Sequence, residues 1–196
     1  MNIDFNERAA LVHKNNEKWW VDLNTLERIV RNKGEMLMLV VTELAEAAEG
    51  IRKDLYDDHL PHRKMAEVEL ADAEIRLLDF AGGFGYNIDS KLINSIYEFE
   101  DKEAIIEAYA IPTNKLESLL DIVEPIIFLN KALNDDFGYI EFGVEDLLSA
   151  SIFCIRAYAY LNDYDIEGAY HEKLEYNKTR KDHSIEERRK EGGKKV

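Results

Sequence analysis

Arg63-Lys-Met-Ala-Glu-Val-Glu-Leu-Ala-Asp-Ala-Glu-Ile-Arg-Leu-Leu-Asp-Phe80 is the stretch whose reading decides the fold. At about 100° of rotation per residue along a helix, Val68, Ile75 and Leu78 fall in one sector, while Leu70, Leu77, Phe80 and Phe84 fall in a nearly opposite one. Charged residues fill the arcs between. Glu67 and Glu74 occupy one arc and read as a water-facing strip; Glu69, Asp72, Arg76 and Asp79 occupy the other. A helix with apolar packing on both flanks has little need of two solvated faces, so the second arc is expected to wall an enclosed groove.

The preceding segment supports this. A helix is expected from about Thr25 through Lys53, with a break near Asn32-Lys-Gly34. Leu37, Val40, Val41, Leu44, Ala48 and Ile51 form its main apolar stripe. Met36 and Leu39 begin a second stripe, and Glu43 and Glu46 continue that line. An earlier helix covers Asn6 to about Asp22 and carries His13, Asn16, Trp19 and Trp20; the two tryptophans cannot share a face, so one packs inside and the other can approach the groove. Leu55 to His62, with Pro61, reads as a loop, and Gly82, Gly83 and Gly85 as helix-stop residues. A short helix starts at Asp89 and runs to Tyr97. Hairpin signals are lacking, and the expected fold is all-α: an antiparallel helical bundle with a four-helix core.

The chain then echoes itself. Leu119 to Asn134-Asp135 is similar to Glu43–Asp54, and Asp146 to Tyr164 is similar to the helix of Arg63–Phe80. The acidic pattern decays there: Ile127 stands in the place of Glu46, and Ser149 or Ala150 in that of Asp72. The organisation read from this is a helical core over 1–97, a degenerate helical repeat packing on it over 98–170, and a basic segment over 171–196. From Asn177 onward there are eight Lys/Arg against four Asp/Glu, which suits either a solvated tail or a cationic arm near phosphates.

Composition bounds the function. A net charge of −15 over 196 residues argues against binding polymeric nucleic acid or an anionic membrane. No apolar stretch approaches the roughly 20 residues of a membrane span, and no secretory leader is read at the start. The single cysteine, Cys154, excludes an internal disulfide, fits a cytoplasmic location, and reads as a packed thiol within Ile152-Phe-Cys-Ile155. The chemistry lies in two spacings, Glu43-Leu-Ala-Glu46 and Glu69-Leu-Ala-Asp72. Each puts two carboxylates on one side of a helix. Facing one another, they offer hard oxygen ligands for a divalent cation such as Mg²⁺. The competing reading is a polar seam stapled by Arg76 to Asp72 or Asp79.

The paired motif Glu43-x-x-Glu46 and Glu69-x-x-Asp72, followed by Phe84-Gly-Tyr-Asn-Ile-Asp89, resembles the MazG-like, all-α nucleoside triphosphate pyrophosphatases, a group that includes dimeric dUTPases and dCTP pyrophosphatases. The likeness is densest over Lys33–Asp89. It resumes at Lys173-Leu-Glu-Tyr-Asn177, like the family's Lys-x-x-x-Asn motif, and at Arg180; the opening His13–Trp20 is similar to the first helix of some members. The resemblance implies that Glu43, Glu46, Glu69 and Asp72 bind Mg²⁺, and that Lys173, Asn177 and Arg180 hold a triphosphate. With it, Glu46 becomes the candidate proton acceptor, and His13, Asn16, Trp20 and Arg76 candidate substrate contacts, although the structural role of Arg76 as a partner of Asp79 is the favoured one. The expected reaction is hydrolysis of a (deoxy)nucleoside triphosphate to monophosphate and pyrophosphate. The alternative is a non-catalytic nucleotide-binding or interaction module with a relic groove. A homodimer is expected, because helices apolar on two sides need more cover than one small bundle supplies.

Overall fold

A computed structural model describes residues 2–134 and 142–195. Its described residues form α-helices joined by loops and short 3₁₀ turns, with two isolated bridges and no strand among them. The fold is all-α, as expected. Asp135, at the end of the echo, lies outside the described residues.

Helix α1 (Phe5–Asn16) starts at Asp4, whose side chain accepts from the amides of Asn6 and Glu7. It ends six residues before the expected Asp22. A 3₁₀ turn follows, and Asp22 accepts from the amides of Asn24 and Thr25 in a local turn that competes with helix. Val21 then bridges Arg28 in antiparallel fashion, a small hairpin that sequence patterning does not reveal. Helix α2 (Lys33–Lys53) therefore starts at the expected break: Asn32 caps it through the Glu35 amide, and Thr25–Arg31 stays outside.

Helix α3 (Met65–Phe84) runs through Gly82 and Gly83, which do not stop it, and closes at Gly85 with φ +73°. Gly83 has a packing role instead. A Cβ there would lie 2.1 Å from the Trp20 ring, so only glycine lets that indole lie against the helix. The short α4 (Ser90–Asn94) is capped by Asp89, and α5 (Lys102–Tyr109) by Asp101. Then come α6 (Leu120–Leu133), α7 (Val144–Leu161), α8 (Ile166–Thr179) and α9 (Ile185–Arg189).

Helix α3 is the central element. It pairs antiparallel with α2, Gly50 sitting by Met65 and Ala66 while Glu43 reaches Arg76. It also pairs antiparallel with α1, Gly82 lying against Ala9 while His13 reaches back to Asp79. Helices α7 and α8 pack on its remaining sides, and α6 and α7 form a second pair laid against the first. One cluster of buried side chains runs from Ile3 to Leu174, through all three segments read from the sequence. The positions read as decayed carboxylates are apolar or neutral here too: Ile127 is exposed, and Ser149 is buried and bonded to the Glu145 carbonyl.

The central position of α3 corrects one expectation. Glu67 and Glu74 do not face water; Glu74 is completely buried and Glu67 is 8% exposed. Helices α7 and α8 cover that arc, and α7 brings a cation to it, while Arg63 reaches it from just ahead of α3. Arg156 grips Glu74 with two hydrogen bonds, at 2.6 and 2.7 Å, and also reaches Glu167 at 2.9 Å. Arg63 holds Glu67 at 2.9 Å. A charged residue under an apolar-flanked helix can thus be internal if a partner helix delivers its counter-ion. Because α3 finds its cover within the chain, the need for cover that led to the homodimer expectation is met intramolecularly.

Candidate functional site

The other arc of α3 faces a groove of about 400 Å³ between α2, α3 and the C-terminal segment. Glu43, Glu46, Glu69, Asp72, Asp79 and Arg76 line it, as the helical spacings predict. Carboxylate oxygens of Glu43, Glu69 and Asp72 lie within 4.8 Å of one another. Glu43 and Glu69 are buried; Asp72 is half-buried. Glu46, one turn further along α2, stands exposed at the rim and outside this tight set, so the structure brings together three of the four carboxylates read as metal ligands.

Electrostatics follow from that crowding. Burial is the main reason the Glu69 carboxyl is held well above the usual carboxylate range, with Asp72 and Glu43 adding to it and Lys173 opposing. Partial burial, then the charges of Glu43 and Asp72, also raise Glu46. Two basic residues compensate the cluster. Lys173, on α8, is 2% exposed and puts Nζ 3.0 Å from Asp72 Oδ2. Burial opposes its charge, but Asp72 and Glu69 outweigh it and keep the ammonium above its ordinary range. Arg76 donates to Glu43 through Nε at 2.6 Å, with Nη2 at 2.5 Å. The expected staple to Asp72 or Asp79 is therefore corrected: the partner of Arg76 comes from the neighbouring helix, because α2 places Glu43 directly across from it.

Asn177 lies one turn beyond Lys173 and donates to Asp72 Oδ1 at 3.2 Å. Its own amide oxygen is buried without a hydrogen-bond partner. Asn177 also lines the groove, so this open acceptor is a further hard oxygen available to a ligand there. The donor set therefore fits Mg²⁺: oxygen atoms only, from residues on α2, α3 and α8. In this arrangement Lys173 and Asn177 are directed at Asp72, so the Lys-x-x-x-Asn spacing places two partners of a carboxylate.

The candidate substrate contacts divide. Asn16 and Arg180 line the groove. His13 does not; its Nδ1 lies 2.9 Å from Asp79 Oδ1, and its Nε2 is 3.1 Å from Arg28. Trp20 is also corrected. It is 2% exposed, packed on Gly83 and Phe84, and its Nε1 donates to Asp79 at 3.1 Å. The tryptophan on the groove is Trp19. With α1 ending at Asn16, the 3₁₀ turn points Trp20 inward and Trp19 toward the C-terminal segment. His13 and Trp20 together fix Asp79 from behind.

Four groove residues carry no mark in the sequence, Arg31, Thr42, His59 and His183, while Lys194 comes from the basic stretch read as a candidate cationic arm. Arg31 and His59 sit on loops just ahead of α2 and α3, where no periodicity marks a facing side. The C-terminal segment is packed in place. Arg188 is 1% exposed, stacks its guanidinium 3.9 Å from the Trp19 ring and donates to the Lys18 carbonyl. Arg180 and Lys194 are both held by Asp182, at 2.7 and 3.2 Å. Burial, then the charge of Arg180, push His183 down to about 3, so its ring is neutral at physiological pH. Cys154, far from the groove, is a packed thiol pushed up to about 12 by burial.

No family model, no curated protein and no solved structure matches this chain. Among the described residues, no helix is long and apolar enough to cross a membrane. The site stands on its geometry.

Proposed function

We propose that this protein is an Mg²⁺-dependent nucleoside triphosphate pyrophosphohydrolase of the MazG-like, all-α kind. The observation that carries the reading is the convergence of Glu43, Glu69 and Asp72 from two helices in a groove also lined by Arg31, Arg180 and Lys194. Acidic ligands next to a set of cations suit a polyanion that arrives with a metal, whereas a plain acidic cleft would repel phosphates.

Glu43, Glu69 and Asp72 would hold the ion, with the Asn177 oxygen in reserve. When bound, Mg²⁺ supplies charge neutralisation and Lewis acidity toward the phosphate oxygens. Glu46, raised above the ordinary carboxylate range and open at the rim, takes the proton of the water that attacks the α-phosphorus. As the new oxygen–phosphorus bond forms, the bond to the oxygen bridging the α- and β-phosphorus breaks. Pyrophosphate leaves with the negative charge, which Arg31, Arg180 and Lys194 stabilise. Trp19, Asn16 and neutral His183 offer a ring face, an amide and an imidazole for the nucleoside.

Hydrolysis in heavy-oxygen water tests the reading. Label in the monophosphate supports attack at the α-phosphorus; label in pyrophosphate, or no turnover, overturns it. The binding-module alternative has one observation on its side, since Arg76 and Lys173 already neutralise the carboxylates. It predicts nucleotide-dependent thermal stabilisation without product. A homodimer remains part of the proposal on a different ground. Leu120, Ile127 and Phe128 leave an apolar face of α6 exposed, and a second copy would cover it.

A further inference from the structure

Two cations sit on the carboxylate cluster, and they are held differently. The Lys173 side chain is 3% exposed and anchored in α8. Arg76 directs both Nε and Nη2 at one oxygen of Glu43, yet 38% of its side chain is exposed along the groove. One counter-ion is enclosed; the other is partly open to the groove.

We propose that Arg76 is an exchangeable counter-ion. It holds Glu43 until a divalent cation takes that carboxylate, then swings to grip the phosphates of the nucleotide. This rests on the metal and nucleotide reading of the groove given above. Of the neighbouring acceptors, Glu69 would be held by the same divalent cation, and the others are engaged or exposed. Asp72 is bonded by Lys173 and Asn177, and Asp79 by Trp20 with His13 alongside. Glu46 stands exposed at the rim, where an ion pair gains little. A guanidinium released from Glu43 therefore finds its best unengaged partner in an incoming phosphate, whose oxygens match its planar fork. The swap makes metal and phosphate binding cooperative, and it keeps the carboxylates paired in the resting protein.

The consequence is a pair of effects with opposite signs. Removing the guanidinium frees Glu43 for the metal but takes away a phosphate contact. The test uses the full chain: Mn²⁺ is titrated by calorimetry without nucleotide, then tripolyphosphate is titrated at saturating Mn²⁺. Arg76→Gln is expected to bind Mn²⁺ about fivefold tighter and tripolyphosphate about fivefold weaker than the parent protein, the scale of one partly exposed charged contact. Arg76→Lys, which keeps the charge without the fork, shifts both affinities in the same directions by about threefold, so the test does not hang on one variant's folding. A purely structural ion pair would weaken metal binding or leave it unchanged. Measurable Mn²⁺ binding without tightening in either variant overturns this inference alone. No Mn²⁺ binding by any of the three proteins overturns the metal reading of the groove and this inference with it.

Discussion

Replacing Arg156 with methionine should expose how the charged interior of this bundle is balanced. Both Arg156 and Glu74 are fully buried, and the guanidinium makes two hydrogen bonds to that carboxylate and one to Glu167. Methionine fills much of the volume but leaves Glu74 with Arg8, 3.9 Å away, as its remaining ion-pair partner. Breaking such a buried pair from one side costs about 3–5 kcal/mol, because the orphaned charge stays in the interior. For a domain of this size about 2–4 °C of melting temperature is lost per kcal/mol, so the midpoint should fall by about 6–20 °C. The partner variant Glu74→Leu should cost a similar amount. The double variant Arg156→Met/Glu74→Leu should recover most of either loss, since a matched apolar pair leaves no uncompensated charge. Urea unfolding of all four proteins, followed by circular dichroism, closes the cycle. A single-variant loss below about 1 kcal/mol, or strictly additive losses, would refute the internal-pair reasoning.

The other predictions probe separate links. Gly83→Ala should cost about 1–3 kcal/mol by pushing Trp20 away from α3, and Trp fluorescence should report a displaced indole; an unaltered melt and spectrum would contradict the close approach. Burial opposes ionisation of Glu167, but hydrogen bonds from Arg8 and Arg156 outweigh it and hold the carboxyl down at about 2. With the folded value below the unfolded one, the stability it adds is complete above the ordinary carboxylate pKa and lost as pH falls toward about 2. Discounted for its partial exposure, the contribution is about 1–2 kcal/mol. Glu167→Gln should therefore lag the parent by that amount in denaturant titrations near neutral pH, and the gap should close in acid. Light scattering at micromolar concentration should give the mass of a dimer, and Ile127→Glu with Phe128→Glu that of a monomer; a monomeric parent chain would rule out the homodimer.

Much of this architecture is legible in the sequence because helical periodicity is a local property. The two flanks of α3 and the second stripe of α2, which put Glu69 and Asp72 on one arc and Glu43 on one line, follow from side-chain spacing alone. What spacing cannot supply is the neighbour. Glu74 and Glu69 look alike along the chain; one meets Arg156 from α7, the other a groove. In the same way Arg76 has Asp72 and Asp79 within a turn but pairs across to Glu43. Trp19 and Trp20 must diverge, yet which one faces inward depends on where α1 ends, and a side-chain turn at Asp22 helps set that. Arg31, His59 and Lys194 come from irregular segments, where no repeat marks a facing side.

The most direct measurement is a panel of ribo- and deoxynucleoside triphosphates incubated with Mg²⁺, with monophosphate and diphosphate products resolved, for the parent protein and Glu43→Ala side by side. Glu43 is one of the three converging carboxylates, so its loss should abolish turnover while leaving the helical fold intact. The prediction is monophosphate and pyrophosphate from at least one nucleotide, lost in the variant. Turnover that survives Glu43→Ala, or no turnover on any nucleotide, would contradict the assignment of this groove as a pyrophosphohydrolase centre.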